Sequence, residues 1–286
     1  MKLIRFGAFN QEKPGIHSEG INYDVSNYIK DYDEAFFREG GLSFLASIVE
    51  KHLDILPVID KEIRIGSPVS RPSKIVCIGM NYADHAKEIN IPAPSEPVIF
   101  MKATTAFNGP FDNIMIPKDS VKTDWEVELA VVIEKKASYV NEISAMDYVA
   151  GYAIMNDVSE REYQTERGGT WDKGKGCNTF APMGPWLVTK DEIKDPHNLR
   201  LLLKLNDNIM QNGNTCNLIF NIPFLIAYIS RFMTLLPGDI ISTGTPAGVG
   251  MGRNPKIFLK ENDVLELGID GLGICKQKVV KLGTLY

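Results

Sequence analysis

The chain has 286 residues, with 31 Lys plus Arg against 36 Asp plus Glu and a formal net charge of −5. Hydrophobic residues at 44% and charged residues at 23% are ordinary globular values and exclude a disordered chain. A chain of this length buries roughly three quarters of its unfolded surface, so it needs no disulfide or metal merely to fold; mild acidity without a Lys/Arg cluster argues against a nucleic-acid partner.

The first residues, Met1 to Phe9, read as a short strand with no apolar leader core behind it, so a cytoplasmic protein is expected. Lys2–Ala8 and Gly20–Val25 are strand candidates, with Lys13-Pro14-Gly15 as a turn between them. Tyr32–Leu53 carries apolar residues at helical spacing, and Gly40-Gly41 divides it into two helices. The Pro/Ser-rich stretch from Ile65 to Ser73 reads as a linker. The predicted division is a small α/β domain over residues 1–70 and a larger domain over 71–286.

Beyond Lys74 the texture turns β-rich. Ile75–Ile78, Val98–Lys102, Val127–Ile133, Val149–Met155, Leu199–Leu205, Asp239–Ser242, Val264–Ile269 and Gly273–Val280 all read as strands. Pro223–Leu236 is the clearest helix, with Asn221 as its cap and Pro237-Gly238 as its stop. Its stripe of Phe224, Leu225, Tyr228, Ile229, Phe232 and Leu235 predicts a buried helix, and the polar residues within Leu218–Leu236 argue against a membrane span. Few helices separate the strands, so an α+β, β-rich fold is expected rather than repeated βαβ units. Cys77, Cys177, Cys216 and Cys275 are widely spaced, without a C-x-x-C, and predict buried, reduced thiols.

The segment from Asp124 to Ile133 is the most informative. In a strand, Glu126 and Glu128 share one face while Trp125, Val127 and Leu129 take the other. Two buried carboxylates about 7 Å apart at Cα repel unless one takes a proton or both share a cation. Oxygen ligands favour Mg²⁺, Mn²⁺ or Ca²⁺ over Zn²⁺. The alternative is an edge strand whose glutamates face water. A third acid, Asp157, stands at the end of the apolar strand Val149–Met155. Arg161 and Gln164, three apart, fall on one side of a helical turn, and an Arg there can bind a substrate carboxylate or simply pair with Glu160 or Glu162.

Of four histidines, only His85 stands in a suggestive setting. Glu88 lies three residues on, so a short helix stacks carboxylate and imidazole into a pair able to take a proton from water. Ile91-Pro92-Ala93-Pro94 is expected to end that helix, which can serve as a lid. His17, His52 and His197 are read as structural. Lys175 lies between Gly174 and Gly176 without P-loop spacing; such a lysine can stabilise an enolate or bind a carboxylate. The stretch Ser242 to Gly250 offers hydroxyls and N–H groups that can hold a carboxylate in a backbone nest. Gly248, Gly250 and Gly252 open no helix, which argues against a dinucleotide site.

Five segments in one order carry a resemblance: Gly79 to His85, Trp125 to Leu129, Asn156 to Gln164, Gly174 to Pro185 and Thr243 to Gly250. Over about residues 72–283 the chain resembles the fumarylacetoacetate hydrolase family. The resemblance implies a mixed β-roll catalytic core and a homodimer. It implies a Mg²⁺ or Mn²⁺ ion held by Glu126, Glu128 and Asp157. His85 and Glu88 match the family's water-activating pair on a lid, and Lys175 its catalytic lysine. Arg161, Gln164, Lys102 and Thr245 match positions near the substrate. The founding hydrolase's extra aspartate ligand has no match, since Asn81-Tyr82 stands in that stretch. The chain therefore looks like the three-carboxylate branch, related to acylpyruvate hydrolases and 2,4-diketo-3-deoxy sugar-acid hydrolases.

The activity this implies is hydrolytic C–C cleavage of a 2,4-diketo acid, such as one derived from fuconate or rhamnonate, to pyruvate and a carboxylic acid. Two other readings use the same residues. Oxaloacetate decarboxylation, or isomerisation or hydration of a hydroxymuconate-like acid, would use the same enolate-stabilising site. A non-enzymatic metal- or carboxylate-binding protein would bind without turnover.

Overall fold

The computed structural model describes residues 1–88 and 92–283. The chain opens with strands β1 (Lys2–Phe6), β2 (Lys13–Ser18) and β3 (Ile21–Asp24), helices α1 (Glu34–Arg38) and α2 (Gly41–His52), and strand β4 (Ile65–Gly66). Next come β5 (Ile75–Gly79), α3 (Ala83–Glu88), β6 (Val98–Lys102), β7 (Phe107–Asn108), β8 (Ile114–Ile116), β9 (Thr123–Asp124), β10 (Val127–Ile133) and β11 (Val149–Asn156). The remainder is β12 (Ser159–Glu160), α4 (Arg161–Thr165), α5 (Asp172–Lys175), β13 (Ala181–Thr189), β14 (Arg200–Leu205) and β15 (Asn208–Asn214). It ends with α6 (Ile222–Ile229), β16 (Ile240–Ser242), β17 (Val264–Ile269) and β18 (Gly273–Lys281).

Two mixed sheets organise all of these strands but β9 and β12, which pair with each other. The larger, eleven-stranded sheet runs β3-β2-β1-β13-β11-β10-β16-β5-β6, with β4 on β1 and β7 on β13. The five-stranded sheet runs β15-β14-β17-β18-β8 and packs over β10 and β11. Every residue of β10 and β11 is buried. Strands covered on both faces read as continuous apolar runs rather than alternating ones, which is why Val127–Ile133 and Val149–Met155 stood out in the sequence. The β-rich, mixed-sheet fold expected from the sequence is the one observed. Strand β1 joins β13 through Leu3↔Leu187, so the opening strands continue the large sheet.

Several local readings change. Lys13-Pro14-Gly15 is the start of β2, not a turn. Pro14 stands opposite Arg5 in the β1–β2 ladder, but its carbonyl turns away from β1 to accept from Val25 N–H, so its missing N–H removes no bond to β1. Part of the expected linker, Ile65–Gly66, is strand β4 on β1, and Val69 is fully buried. Strand β13 was hidden by Pro182, Gly184 and Pro185. The register with β11 jumps between Tyr152↔Val188 and Ile154↔Gly184, and that bulge places Pro185 outside the ladder. Strand β15 was hidden by its composition of amides and glycine.

Helix α6 begins at its Asn221 cap as expected but ends at Ile229 rather than Leu236. Ser230 stops it: its hydroxyl donates back to Ala227 O and accepts from Val140 N–H, drawing the chain onto the 137–140 loop. Leu225, Ile226 and Ile229 face the core, whereas Phe224, Tyr228 and Phe232 stack along the outside with Phe220. Among the described residues, no helix is long and apolar enough to cross a membrane. All four cysteines are free, but the expected burial holds only for Cys77 and Cys275; Cys177 is half-buried and Cys216 exposed. Of the expected stop Ile91-Pro92-Ala93-Pro94, Ile91 lies outside the described residues.

Gly151, in β11 opposite Thr189, has no room for a Cβ, which would collide with the Val188 carbonyl. Overpacking of this kind costs about 1–3 kcal/mol. Gly151→Ala should lower the urea unfolding midpoint accordingly, with an unchanged m-value. A midpoint equal to the wild type's would contradict the tight β11–β13 approach.

Candidate metal centre and active site

The site begins with the β10–β11 ladder. Val127 pairs with Asn156 and Glu128 with Met155, and Asp157 N–H donates to Glu126 O at 2.9 Å. Opposite residues of an antiparallel pair point the same way. Glu126, Glu128 and Asp157 therefore share one face, and their carboxylate oxygens lie within 4.8 Å of one another. Strand β10 is interior, between β11 and β16, which removes the solvent-facing alternative. Exposure is 6% for Glu126, 1% for Glu128 and 0% for Asp157, so water does not screen their repulsion.

Three buried cations answer two of the acids. Lys175 Nζ donates to Glu126 Oε2 at 2.7 Å and Asp157 Oδ2 at 2.8 Å, above the face of Phe100. Lys102 Nζ holds Asp157 Oδ1 at 2.5 Å and Val158 O at 2.9 Å. Arg161 Nη2 stands 2.7 Å from Glu126 Oε1, a charge contact without an aligned hydrogen bond. Burial alone would raise Glu126, but Lys175 and Arg161 outweigh it and bring its carboxyl down to about 2. Burial likewise works against a charged Lys175, yet Asp157 and Glu126 raise it, so it stays an ammonium.

Glu128 is different. Among the described residues no cation pairs with it; Ser242 Oγ donates to Oε2 at 2.6 Å and Gly244 N–H at 2.9 Å. Burial, then Asp157 and Glu126, push its carboxyl well above 4.5. Three convergent carboxylates, one of them lacking a cation, suit a hard divalent ion bound through oxygen. The donor set thus fits Mg²⁺ or Mn²⁺.

Helix α3 carries the predicted pair. His85 Nδ1 meets Glu88 Oε2 at 3.0 Å, and Gly248 N–H donates to Glu88 Oε1 at 2.9 Å. His85 is buried. Lys175 lies on α5 rather than in a loose loop. Gly174 lets α5 press on Glu160 O and Gln164 N, where a Cβ would collide, and Asp172 Oδ1 accepts from Met101 N–H at 2.9 Å.

The four residues expected near a substrate are all buried and already engaged. Arg161 Nε pairs with Asp124 Oδ2 at 2.9 Å and Nη1 with Gln164 Oε1 at 2.9 Å, rather than with Glu160 or Glu162. Thr245 Oγ1 donates to Val127 O at 3.0 Å and accepts from Gln211 Nε2 at 2.7 Å. Lys102 is bound to Asp157, as above. The nest over Ser242–Gly250 holds carboxylates of the chain itself. Gly244 N–H binds Glu128, Gly248 N–H binds Glu88, and Gly250 and Met251 N–H bind Asp124 at 2.7 and 2.9 Å.

Sequence reasoning did not single out Asp124, Ser242, Asn156 or Gln211. Asp124 and Ser242 stand inside quoted motifs, and burial alone reveals their work. Asn156 Oδ1 accepts from Glu126 N–H at 3.2 Å. Gln211 sits in an amide-rich stretch that carries no period to read.

Residues 74–280 match the family described as fumarylacetoacetate (FAA) hydrolase C-terminal. A Burkholderia cenocepacia relative, whose name contains the word hydrolase and no substrate, is 53% identical over 275 residues, covering 96% of each chain. The crystal structure of maleylpyruvate hydrolase from Sphingobium sp. SYK-6, in complex with manganese(II) ion and pyruvate, superposes with a TM-score of 0.82. It is 30% identical, over 98% of this chain and 99% of that one. The 2-hydroxyhepta-2,4-diene-1,7-dioate isomerase from Mycobacterium marinum gives a TM-score of 0.75 at 30% identity, over 99% of each.

Metal binding should release protons. A cation must displace the proton that the raised Glu128 retains, so affinity for Mn²⁺ should fall as pH falls through the Glu128 transition. Calorimetry in two buffers of different ionisation enthalpy reads the proton count directly. No proton release at any pH below neutral would contradict a protonated Glu128.

Proposed function

The chain belongs to the fumarylacetoacetate hydrolase family, and from that premise we propose that it is a divalent-metal-dependent hydrolase of 2,4-diketo acids. It cleaves a C–C bond to give pyruvate and a second carboxylic acid. The observation that carries this reading is one loop with two tasks: Gly244 N–H holds Glu128 of the carboxylate trio, and Gly248 N–H holds Glu88 of the proton-relay pair. A ligand set and a water-activating pair are thereby fixed to a common frame.

Charge points to the substrate class. Four buried carboxylates (Asp124, Glu126, Glu128, Asp157) face three buried cations (Lys102, Lys175, Arg161). With all ionised, the cluster carries one net negative charge, which a divalent cation turns to one positive. A keto acid's carboxylate neutralises the remainder. A cation held by Glu126, Glu128 and Asp157 would supply Lewis-acid polarisation of a keto oxygen and charge for an enolate.

The chain's own groups do the rest. Glu88 engages His85 Nδ1, which leaves Nε2 to take a proton from water. The hydroxide equivalent adds to the C4 carbonyl; the C3–C4 bond then breaks, its electron pair passing to the pyruvyl enolate, which is protonated at C3. Lys175, an ammonium fixed in place by Glu126 and Asp157, offers positive charge where that enolate forms. The tail of the substrate, including a sugar-acid tail, is left to product analysis.

A second reading is isomerisation of a hydroxylated dienedioate, favoured by the isomerase of similar fold. The proton relay tied to the trio supports hydrolysis over it. Following the enol absorbance of a simple acylpyruvate with Mg²⁺, Mn²⁺ or chelator separates the two. Metal-dependent loss with stoichiometric pyruvate is expected; an isomer or CO₂ without an acid fragment would overturn the hydrolase assignment.

Lys175→Ala and Glu126→Gln should each lower kcat by at least ~10²–10³, the usual cost of losing one electrostatic group of this kind. Near wild-type turnover in either variant, with metal supplied, is the contrary result.

A further inference from the structure

We propose that Gln211 is a positioning residue that locks the metal-ligand strand to the loop that holds Glu88 of the proton relay. This rests on the metal-assisted reading of the site. Strand β16 pairs with β10 only over Ala130–Val132. The backbone between the ligands Glu126 and Glu128 has no strand beside it on that edge. A buried strand edge leaves unpaired N–H and C=O groups, each costing free energy comparable to a lost hydrogen bond.

Two side chains take the place of the missing strand. Val127 N–H donates to Gln211 Oε1 at 2.9 Å, and Thr245 Oγ1 donates to Val127 O at 3.0 Å. Gln211 Nε2 closes the ring by donating to Thr245 Oγ1 at 2.7 Å, and its other hydrogen goes to Pro246 O at 2.8 Å. Gln211 is fully buried, so none of these bonds is shared with solvent. The site needs one acceptor and two donors in a planar fork of this reach, which a glutamine side chain supplies and glutamate or lysine does not.

Gln211 comes from β15, an edge strand of the other sheet. The unusual composition of β15 follows from that docking. Gly213 lies where any Cβ would strike the Pro246 ring, and Gly248, at φ +109, sits against Met210 O where a Cβ would also collide. The ring pins Val127, and with it the side chains that leave on either side, Glu126 and Glu128. It also pins the loop whose Gly244 and Gly248 N–H groups hold Glu128 and Glu88. One amide thus sets the distance between the ligand trio and the relay.

The test measures Mn²⁺ binding by electron paramagnetic resonance, alongside kcat and KM for the acylpyruvate. Gln211→Met keeps the volume and removes the three bonds that Gln211 makes, leaving only Thr245 Oγ1 to Val127 O. Thr245→Val opens the same ring from its other side if the first variant folds poorly. Outer partners of metal ligands typically contribute 10–100-fold to affinity or activity. Each variant should weaken Mn²⁺ by about that factor and alter the bound Mn²⁺ spectrum. The double variant should lose less than the product of the two, because one ring is broken in each. Folded variants with wild-type Mn²⁺ affinity and spectrum would overturn the inference, as would strictly multiplicative losses. A wild-type protein that binds Mn²⁺ but cleaves no acylpyruvate, while both variants lose Mn²⁺, would sink the reaction assignment and leave the positioning role standing.

Discussion

Three carboxylates on one buried face of an antiparallel strand pair are the constraint on which this structure turns. Bringing such groups together out of water is unfavourable twice over, through desolvation and through mutual repulsion. Glu126 and Asp157 are relieved by Lys175, Lys102 and Arg161. Among the described residues Glu128 receives only a hydroxyl and a backbone N–H, and burial, then Asp157 and Glu126, push its carboxyl up. A site so arranged is stable as a protein interior and still short of one cation. That donor set fits a hard divalent ion bound through oxygen.

The loop after β16 is the second organising element. Its N–H groups bind Glu128, Glu88 and Asp124 in turn, so a backbone nest serves as an internal frame for acids that arrive from β10, α3 and β9. Asp124 then holds Arg161, which meets Glu126. Residues that look like substrate contacts in the sequence are in this way already committed to one another. A substrate carboxylate reaching Arg161 has to compete with Asp124, Gln164 and Glu126 for its three nitrogens.

Much of this was legible beforehand, and for identifiable reasons. Glu126 and Glu128 share a face because strands have period two. His85 and Glu88 meet because helical turns stack residues three apart, and Arg161 meets Gln164 for the same reason. Strands β10 and β11 announced themselves as apolar runs. Strand β13 did not, because its prolines sit at a bulge that only the partner strand defines. The outward aromatic row of α6 defeated the expectation of a wholly buried stripe, since apolar character alone does not say which face has a neighbour.

The sequence by itself determined the periodic and local features: strand and helix identity over the core, the shared face of Glu126 and Glu128, and the His85–Glu88 pair. These follow from the repeat of side-chain directions along a strand or a helix. Tertiary structure alone decided which acids are neutralised and by whom. Lys175 and Lys102 lie 18 and 55 residues from Asp157 along the chain, and Gln211 reaches Val127 across 84. No spacing rule links such positions. Gln211 meets Val127 where the second sheet docks on the first, while Lys102 and Lys175 reach Asp157 from β6 and α5; burial then converts ordinary side chains into a charge balance and a hydrogen-bonded frame.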